Sequence, residues 1–118
     1  MSPDNPRLDL DAYLRRLAWS GELRNDYATL AALVEAHMAR IPFENLDVLL
    51  GRGIRIDLAS IQAKLVHARR GGYCFEHATL FAAVLEAIGF TPIRHIARVL
   101  MVTPREASPR THMFLSVP

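Results

Sequence analysis

The chain has 118 residues, of which 51% are hydrophobic and 22% charged, and its formal net charge is +2. This composition indicates a globular domain or part of one and excludes a disordered chain. No segment reaches the roughly 18 apolar residues of a membrane span, and the N-terminus lacks a signal-peptide core, so we expect a cytoplasmic protein without a membrane partner. The arginines are scattered, which favours a solvated basic surface over nucleic-acid binding.

Two amphipathic helices are predicted in the first forty residues. The first begins after Asp9, a plausible N-cap, and stops before Gly21. The second is capped by Asn25 or Asp26 and ends before Pro42, since proline cannot continue a helix. The residues expected on their inward faces are Leu10, Tyr13, Leu14 and Leu17 in the first helix, and Leu30, Leu33, Val34, His37 and Met38 in the second.

Two further helices are predicted in the middle of the chain. One follows Asp57 as its cap, and the other runs from Tyr73 or Cys74 to Ile88. The glycines at positions 71 and 72 separate them, because glycine breaks a helical pattern. The residues expected to face inward are Ile61, Leu65 and Ala68 in the third helix, and Phe75, Ala78, Phe81, Ala82, Leu85 and Ile88 in the fourth.

After residue 92 the pattern changes to β-type. Residues 93–102 and 112–117 predict a hairpin with a long polar loop, and the first strand lacks polar alternation, so we expect it to be mostly buried. The predicted fold class is therefore α+β, with a helical domain over residues 1–90 and the start of a β-domain over residues 91–118. Because two strands leave an open edge, more β-structure should follow.

Cys74 is the single cysteine of the chain and lies at the predicted start of the fourth helix. Unpaired N–H groups and the helix dipole at such a position favour a thiolate and can stabilise an oxyanion. Arg69 and Arg70 add positive charge nearby. Without a CxxC pair, neither a zinc site nor disulfide exchange is indicated. From this pattern alone, an inert buried thiol and a nucleophile are equally plausible.

A nucleophilic thiol needs a base, and the five histidines are the candidates. His112 ranks first because it opens the second strand directly after a loop, where a side chain can be held facing a cleft. His77 ranks second, since one helical turn brings it near Cys74 but points it along the helix surface. The remaining three are expected to be structural, His37 and His67 at solvent or a helix–helix seam and His95 in the core.

Four collinear segments resemble motifs of the arylamine N-acetyltransferases. Residues 70–77, RGGYCFEH, resemble the nucleophile motif of this family, and residues 41–51, IPFENLDVLLG, resemble its PFENL segment. Residues 10–17, LDAYLRRL, resemble its N-terminal helix motif, and residues 110–117, RTHMFLSV, are similar to the segment with its catalytic histidine. The resemblance implies a helical domain with a cysteine-protease-like core, followed by a β-barrel domain and then an α/β lid. Residues 91–118 would be the first part of the β-barrel.

The resemblance also implies a Cys-His-Asp triad in which Cys74 is the nucleophile and His112 its base. Acetyl-CoA would acetylate the cysteine, and an arylamine or arylhydrazine would then take the acetyl group from the thioester without help from a metal. Arg16, Glu44 and Arg70 match polar residues of the family. They are expected to form a buried ionic network that holds the helices and the cysteine turn in register.

The resemblance has two departures, and other functions stay open beside it. Ala78 stands where family members commonly have asparagine, and the triad aspartate would come after residue 118. One alternative is a non-catalytic module that pairs with a partner through its open strand edge. Another is a related amide-forming acyltransferase with the same thiol–imidazole pair and a different acceptor.

Overall fold

The structure is a computed structural model that describes residues 8–44, 50–51, 57–98 and 110–118. Across these ranges no helix is long and apolar enough to cross a membrane. The elements are α1 (Leu10–Arg16), α2 (Tyr27–Arg40), α3 (Leu58–Ile61) continuing as a π-helical segment (Gln62–His67), α4 (Cys74–Ile88), β1 (Ile93–Arg98) and β2 (Arg110–Ser116).

Aspartate side chains cap the first three helices, as the sequence predicted. Asp9, Asp26 and Asp57 each accept a hydrogen bond from the backbone N–H three residues later, at 3.0, 2.8 and 3.1 Å. Each bond satisfies a donor that has no partner inside its helix. Asn25, the other candidate cap of α2, instead donates to the carbonyl oxygen of Gly89 at 3.0 Å and so ties the start of α2 to the end of α4.

The hydrophobic core lies between the helices, and α2 contributes less to it than predicted. Val34 and Met38 were expected to face inward but are exposed, whereas the neighbouring Leu33 is fully buried. On α4 the predicted Ala78, Ala82 and Leu85 are buried, and the buried face is wider than predicted because Leu80 and Val84 are fully buried as well. The core residues are Ala12, Tyr13, Leu17, Leu33, Ile41, Ile61, Leu65, Val66, Leu80 and Val84.

The third helix widens into a π-helix after its first turn. The Ala68 N–H donates to the carbonyl of Ala63, five residues earlier, at 2.9 Å, which is the hydrogen-bond pattern of a π-helix. Because the wider turn changes the angle between successive residues, the 3.6-residue spacing that predicted Ala68 as inward no longer applies. Ala68 is exposed, while Ile61 and Leu65 are buried as predicted.

The two strands form the predicted hairpin. They pair antiparallel from Ile93 opposite Ser116 to Arg98 opposite Arg110, with an irregularity beside Ala97. Residues 99–102 of the predicted first strand lie outside the described part of the chain. The expectation that this strand is mostly buried is wrong at Ile93, which is half exposed. The reason is geometric, since α4 packs against β2, the neighbouring strand.

Replacing Leu33 by alanine should lower the free energy of unfolding by about 2–5 kcal/mol, because it removes buried methyl groups and leaves a cavity. The measurement is urea denaturation followed by circular dichroism. Tyr27→Ala on the same helix is the control, since Tyr27 is 82% exposed and such a surface change should shift stability by less than about 0.5 kcal/mol. Equal shifts for the two variants would contradict the described core.

Candidate functional site

Two backbone segments run parallel beside Cys74 and pair as a β-bridge between Phe43 and Gly72. The Gly72 N–H donates to the carbonyl oxygen of Pro42 at 3.2 Å, and the Glu44 N–H donates to the carbonyl oxygen of Gly72 at 2.8 Å. A β-carbon added to Gly71 would lie 2.9 Å from the Pro42 carbonyl carbon and still closer to its oxygen. Position 71 therefore has room only for glycine, and the β-bridge fixes the backbone that leads into α4.

The Glu44 carboxylate adds two further contacts between the paired segments. It accepts from the Arg70 guanidinium at 2.7 Å through Oε1 and from the Gly71 N–H at 3.3 Å through Oε2. The carboxylate therefore binds the charged side chain and the backbone of the same turn. Glu44 and Arg70 thus form an ion pair, but both side chains remain partly exposed, so this pair is not the buried network that was expected.

Arg16 joins this region through backbone carbonyls rather than through a carboxylate. Its Nε donates to Leu65 at 2.8 Å and its second guanidinium nitrogen to Arg69 at 3.3 Å. Burial, together with the charges of Arg69 and Arg40, lowers the pKa of Arg16 below its ordinary value. Arg69 has a φ of 59°, a left-handed conformation that is rare for a residue with a side chain. The guanidinium of Arg16 therefore braces α1 against the strained turn before the glycines.

A buried ion pair supports the start of α4. Glu76 accepts the Tyr73 N–H at 3.1 Å, a backbone donor that precedes the helix. Lys64 of the π-helical segment lies 3.0 Å from the same carboxylate, and the two side chains are only 14% and 3% exposed. A β-carbon at Gly72 would lie 2.9 Å from this carboxylate, so a larger residue there would have to displace the Glu76 side chain.

Sequence reasoning missed the pairing of Lys64 with Glu76. Glu76 stands three residues after the helix cap, which is the position of the acid in a capping box, and that signal was available in the sequence. The partner was not predictable in the same way. Lys64 lies on another helix, and its approach to Glu76 depends on the register that the π-helical segment sets.

Cys74 is the first residue of α4 and is half-buried. It lines a cleft of about 810 Å³ between α2, α4 and β2. A concave, mostly apolar surface with a few polar groups is typical of a small-molecule site. The cleft is lined by Leu30, Val34, His37, Met38, Ile41, Phe43, Cys74, His77, Ala78, Phe81, Leu85, Met113, Phe114, Leu115 and Val117.

A chain of hydrogen bonds runs along one side of this cleft. The Tyr13 hydroxyl lies 2.7 Å from Nδ1 of His37, whose Nε2 lies 2.9 Å from Nδ1 of His77. The Nε2 of His77 lies 3.0 Å from the carbonyl oxygen of Pro42. His37 occupies a helix–helix seam, one of its two predicted locations. Both ring nitrogens of His77 are engaged, which argues against His77 as the base for Cys74.

The environment of this chain keeps His37 neutral. Burial, followed by the neighbouring His77 and Arg16, lowers the pKa of His37 to about 3. Burial also raises the pKa of the Tyr13 hydroxyl above its ordinary value, so that group keeps its proton. Tyr13 and His37 therefore act as neutral groups at physiological pH.

The remaining candidates lie on the hairpin and on the third helix. His112 lies in β2 opposite Ala97, and its side chain falls outside the described part of the structure. Its neighbour Met113 lines the same cleft as Cys74. His95 is half-buried rather than in the core and bonds Ser116 across the hairpin at 2.7 Å. His67 is exposed, and the described residues contain no cluster of acids, histidines and cysteine suited to a metal.

The cleft and its cysteine can be compared with known proteins. A family model described as N-acetyltransferase matches residues 26–118. The arylamine N-acetyltransferase of Escherichia coli (strain K12) is 47% identical over 108 residues, and that of Mycolicibacterium smegmatis is 45% identical over 113 residues. These matches cover 92% and 93% of this chain but only 38% and 41% of the relatives. The chain thus spans about two fifths of the length of the curated relatives it matches.

Solved structures agree with these sequence matches. The arylamine N-acetyltransferase of Nocardia farcinica superposes with a TM-score of 0.86 at 51% identity, over 98% of this chain and 40% of that one. The Mycobacterium marinum arylamine N-acetyltransferase in complex with CoA superposes with a TM-score of 0.85 at 38% identity, over 93% of this chain and 41% of that one. The described helices and hairpin therefore have the arrangement found in these enzymes.

Replacing Lys64 by methionine should lower the free energy of unfolding by roughly 3–5 kcal/mol, because it leaves the buried Glu76 carboxylate without its cation. Adding Glu76→Gln should recover part of this loss, and chemical denaturation measures both. Arg94→Met is the matched control, since Arg94 lies 3.0 Å from Glu86 but the two side chains are 44% and 53% exposed. That change should cost at most about 1 kcal/mol. Equal losses would contradict the described burial.

The free energy of unfolding should decrease as the pH falls from 6.5 towards 3. In this interval the unfolded chain binds a proton at His37 that the folded chain does not, which removes up to about 1.4 kcal/mol per pH unit. His37→Asn should make the free energy of unfolding depend less steeply on pH. Tyr13, His77 and Arg16, which face the ring, are left unchanged in this variant. Denaturation at a series of pH values measures both slopes, and parallel curves would disprove the assignment.

Proposed function

Because the chain belongs to the arylamine N-acetyltransferase family, we propose that the protein transfers an acetyl group from acetyl-CoA to an arylamine or arylhydrazine. The observation that carries this proposal is the placement of Cys74. Its thiol lies at the first turn of α4, in a largely apolar cleft, on a backbone fixed by the β-bridge between two segments. An apolar cleft suits an aromatic acceptor, and a positioned thiol suits acyl transfer.

The first half of the reaction acetylates the enzyme. Deprotonated Cys74 attacks the carbonyl carbon of acetyl-CoA, and a new carbon–sulfur bond forms as the bond to the CoA sulfur breaks. His112 accepts the proton of the cysteine and returns it to the departing CoA thiolate. The N–H groups at the start of α4 that lack helical partners are suited to stabilise the oxyanion of the tetrahedral intermediate.

The second half regenerates the thiol. The amine nitrogen of the acceptor attacks the thioester carbon, the carbon–sulfur bond breaks, and an amide or hydrazide leaves. His112 now removes the proton from the attacking nitrogen, and the cysteine sulfur takes up a proton. This sequence is a ping-pong mechanism, because CoA leaves before the acceptor reacts.

Three polar side chains position the nucleophile without taking part in bond changes. Glu44 and Arg70 link the two segments of the β-bridge, and Arg16 stabilises the preceding turn. Arg16 acts through carbonyl oxygens, so its contribution depends on the shape of its hydrogen-bonding fork rather than on charge pairing alone. In this proposal all three set the direction from which Cys74 meets the acyl carbon.

The proposal includes the wider architecture. Residues 1–90 form the cysteine-bearing helical domain, which resembles the core of a cysteine protease, and residues 91–118 open a β-barrel. The aspartate that orients His112 comes from a segment beyond residue 118, and the enzyme acts in the cytoplasm on small molecules without a bound metal. The relatives extend well beyond the matched region, which leaves room for such a segment.

The test is the intact mass of the complete gene product with and without acetyl-CoA. We expect the mass of one acetyl group to be added, and to be lost again when an arylamine such as aniline is supplied. Cys74→Ala should abolish the addition, and His112→Asn should slow it by at least about a hundredfold, as expected for loss of a general base. A wild-type protein that takes up no acetyl group would favour a non-catalytic module. Loading by bulkier acyl-CoA esters alone would favour the related amide-forming acyltransferase.

A further inference from the structure

We propose that Tyr13, His37 and His77 form a positioning relay that fixes the Pro42 carbonyl and, through it, the backbone turn before Cys74. The role assigned to this turn rests on the acetyl transfer proposed above. None of the three side chains takes part in bond changes there. They act on the nucleophile only through the backbone.

The direction of the relay follows from its last member. A carbonyl oxygen only accepts hydrogen bonds, so Nε2 of His77 must carry a proton to bond Pro42. Where the other nitrogen of His77 is the acceptor, the Nε2 of His37 is the donor. By the same reasoning the Tyr13 hydroxyl donates to His37. This single direction satisfies every donor and acceptor of the relay.

The relay ends at the Pro42 carbonyl oxygen, which is also an acceptor of the β-bridge. The Pro42 carbonyl oxygen accepts from the His77 ring at 3.0 Å and from the Gly72 N–H at 3.2 Å. A carbonyl oxygen has two lone pairs, and these two donors occupy both. Moving the ring of His77 would free this oxygen to rotate away from Gly72. Because Gly72 is only two residues before Cys74, the start of α4 would then shift together with Gly72.

The ring of His77 also connects the relay to the wall of the cleft. Phe43 lies parallel to this ring, with 6.5 Å between the ring centroids. His37 meets Phe81 edge to face at 5.2 Å and His77 in the same manner at 5.1 Å. Such ring contacts add roughly 0.5–1.5 kcal/mol each beyond the area they bury. The rings of the relay are therefore packed on both sides and have little freedom to move.

The experiment compares His77→Leu with His77→Gln in the complete gene product. Leucine cannot bond Pro42 or His37, whereas a glutamine amide can donate to the carbonyl and accept from the imidazole. We expect His77→Leu to slow the acetylation of Cys74 in a single turnover about tenfold or more, consistent with a misplaced reacting atom. The fraction of molecules finally acetylated should stay at the wild-type level. His77→Gln should restore the rate to within about threefold, a difference of less than 1 kcal/mol.

A structural role alone would give a different result. In that case His77→Leu would lower the fraction of acetylated molecules but not the rate of those that react, and the proposal would be overturned. His67→Leu is the control, because this exposed side chain lies outside the relay. Tyr13→Phe tests transmission from the far end, since it removes one hydroxyl and leaves the cleft untouched. A slower rate in Tyr13→Phe supports the relay, and a wild-type rate removes Tyr13 from it.

Amide exchange separates this proposal from the proposed activity. The Gly72 N–H should exchange faster with solvent in His77→Leu than in the wild type and in His77→Gln, as measured by NMR. If the wild-type protein takes up no acetyl group, the proposed function fails while this measurement still decides whether the relay fixes the turn. Unchanged Gly72 exchange in a folded His77→Leu protein would overturn the relay itself.

Discussion

The rest of the site depends on one carbonyl oxygen, that of Pro42. Two donors converge on it, and the backbone of the Gly71–Gly72 turn passes so close that a side chain at position 71 would collide with it. The carboxylate of Glu44, two residues further on, bonds the same turn from the side. A short irregular segment thus serves as the support on which the helix carrying Cys74 begins. Loops that carry function are commonly held by a rigid scaffold in this manner.

Charge is balanced differently on the two sides of the cysteine. On one side the Glu76 carboxylate satisfies the start of α4 but would repel a nearby thiolate, and Lys64 neutralises it within 3.0 Å. On the other side burial keeps His37 uncharged, so this ring adds no positive charge to the cleft that Cys74 lines. In the proposed reaction the N–H groups at the start of α4 would act on the developing negative charge.

Features set by neighbouring residues were predictable from the sequence, and features set by distant ones were not. The aspartate caps, the glycine break before Cys74 and the hairpin each depend on a few adjacent residues, and the structure contains them. The outward positions of Ala68 and Met38 were missed, because a π-helical turn and the packing of whole helices decide them. The resemblance assigns Cys74 and His112 as the catalytic pair from their motifs, and this assignment stays a prediction. The relay through His37 could not be predicted, since it links three separated segments through atoms that only the fold brings together.

The position of Cys74 also determines how the enzyme would recover from oxidation. A half-buried thiol that opens on a wide cleft is accessible to peroxide, and a sulfenic acid is normally rescued by condensation with another thiol. These 118 residues contain no second cysteine. A thiol that enters the cleft from solution is one group that can resolve the sulfenic acid. In the proposed reaction the CoA released by acetyl transfer is such a thiol, so the product of one half-reaction could also protect the nucleophile.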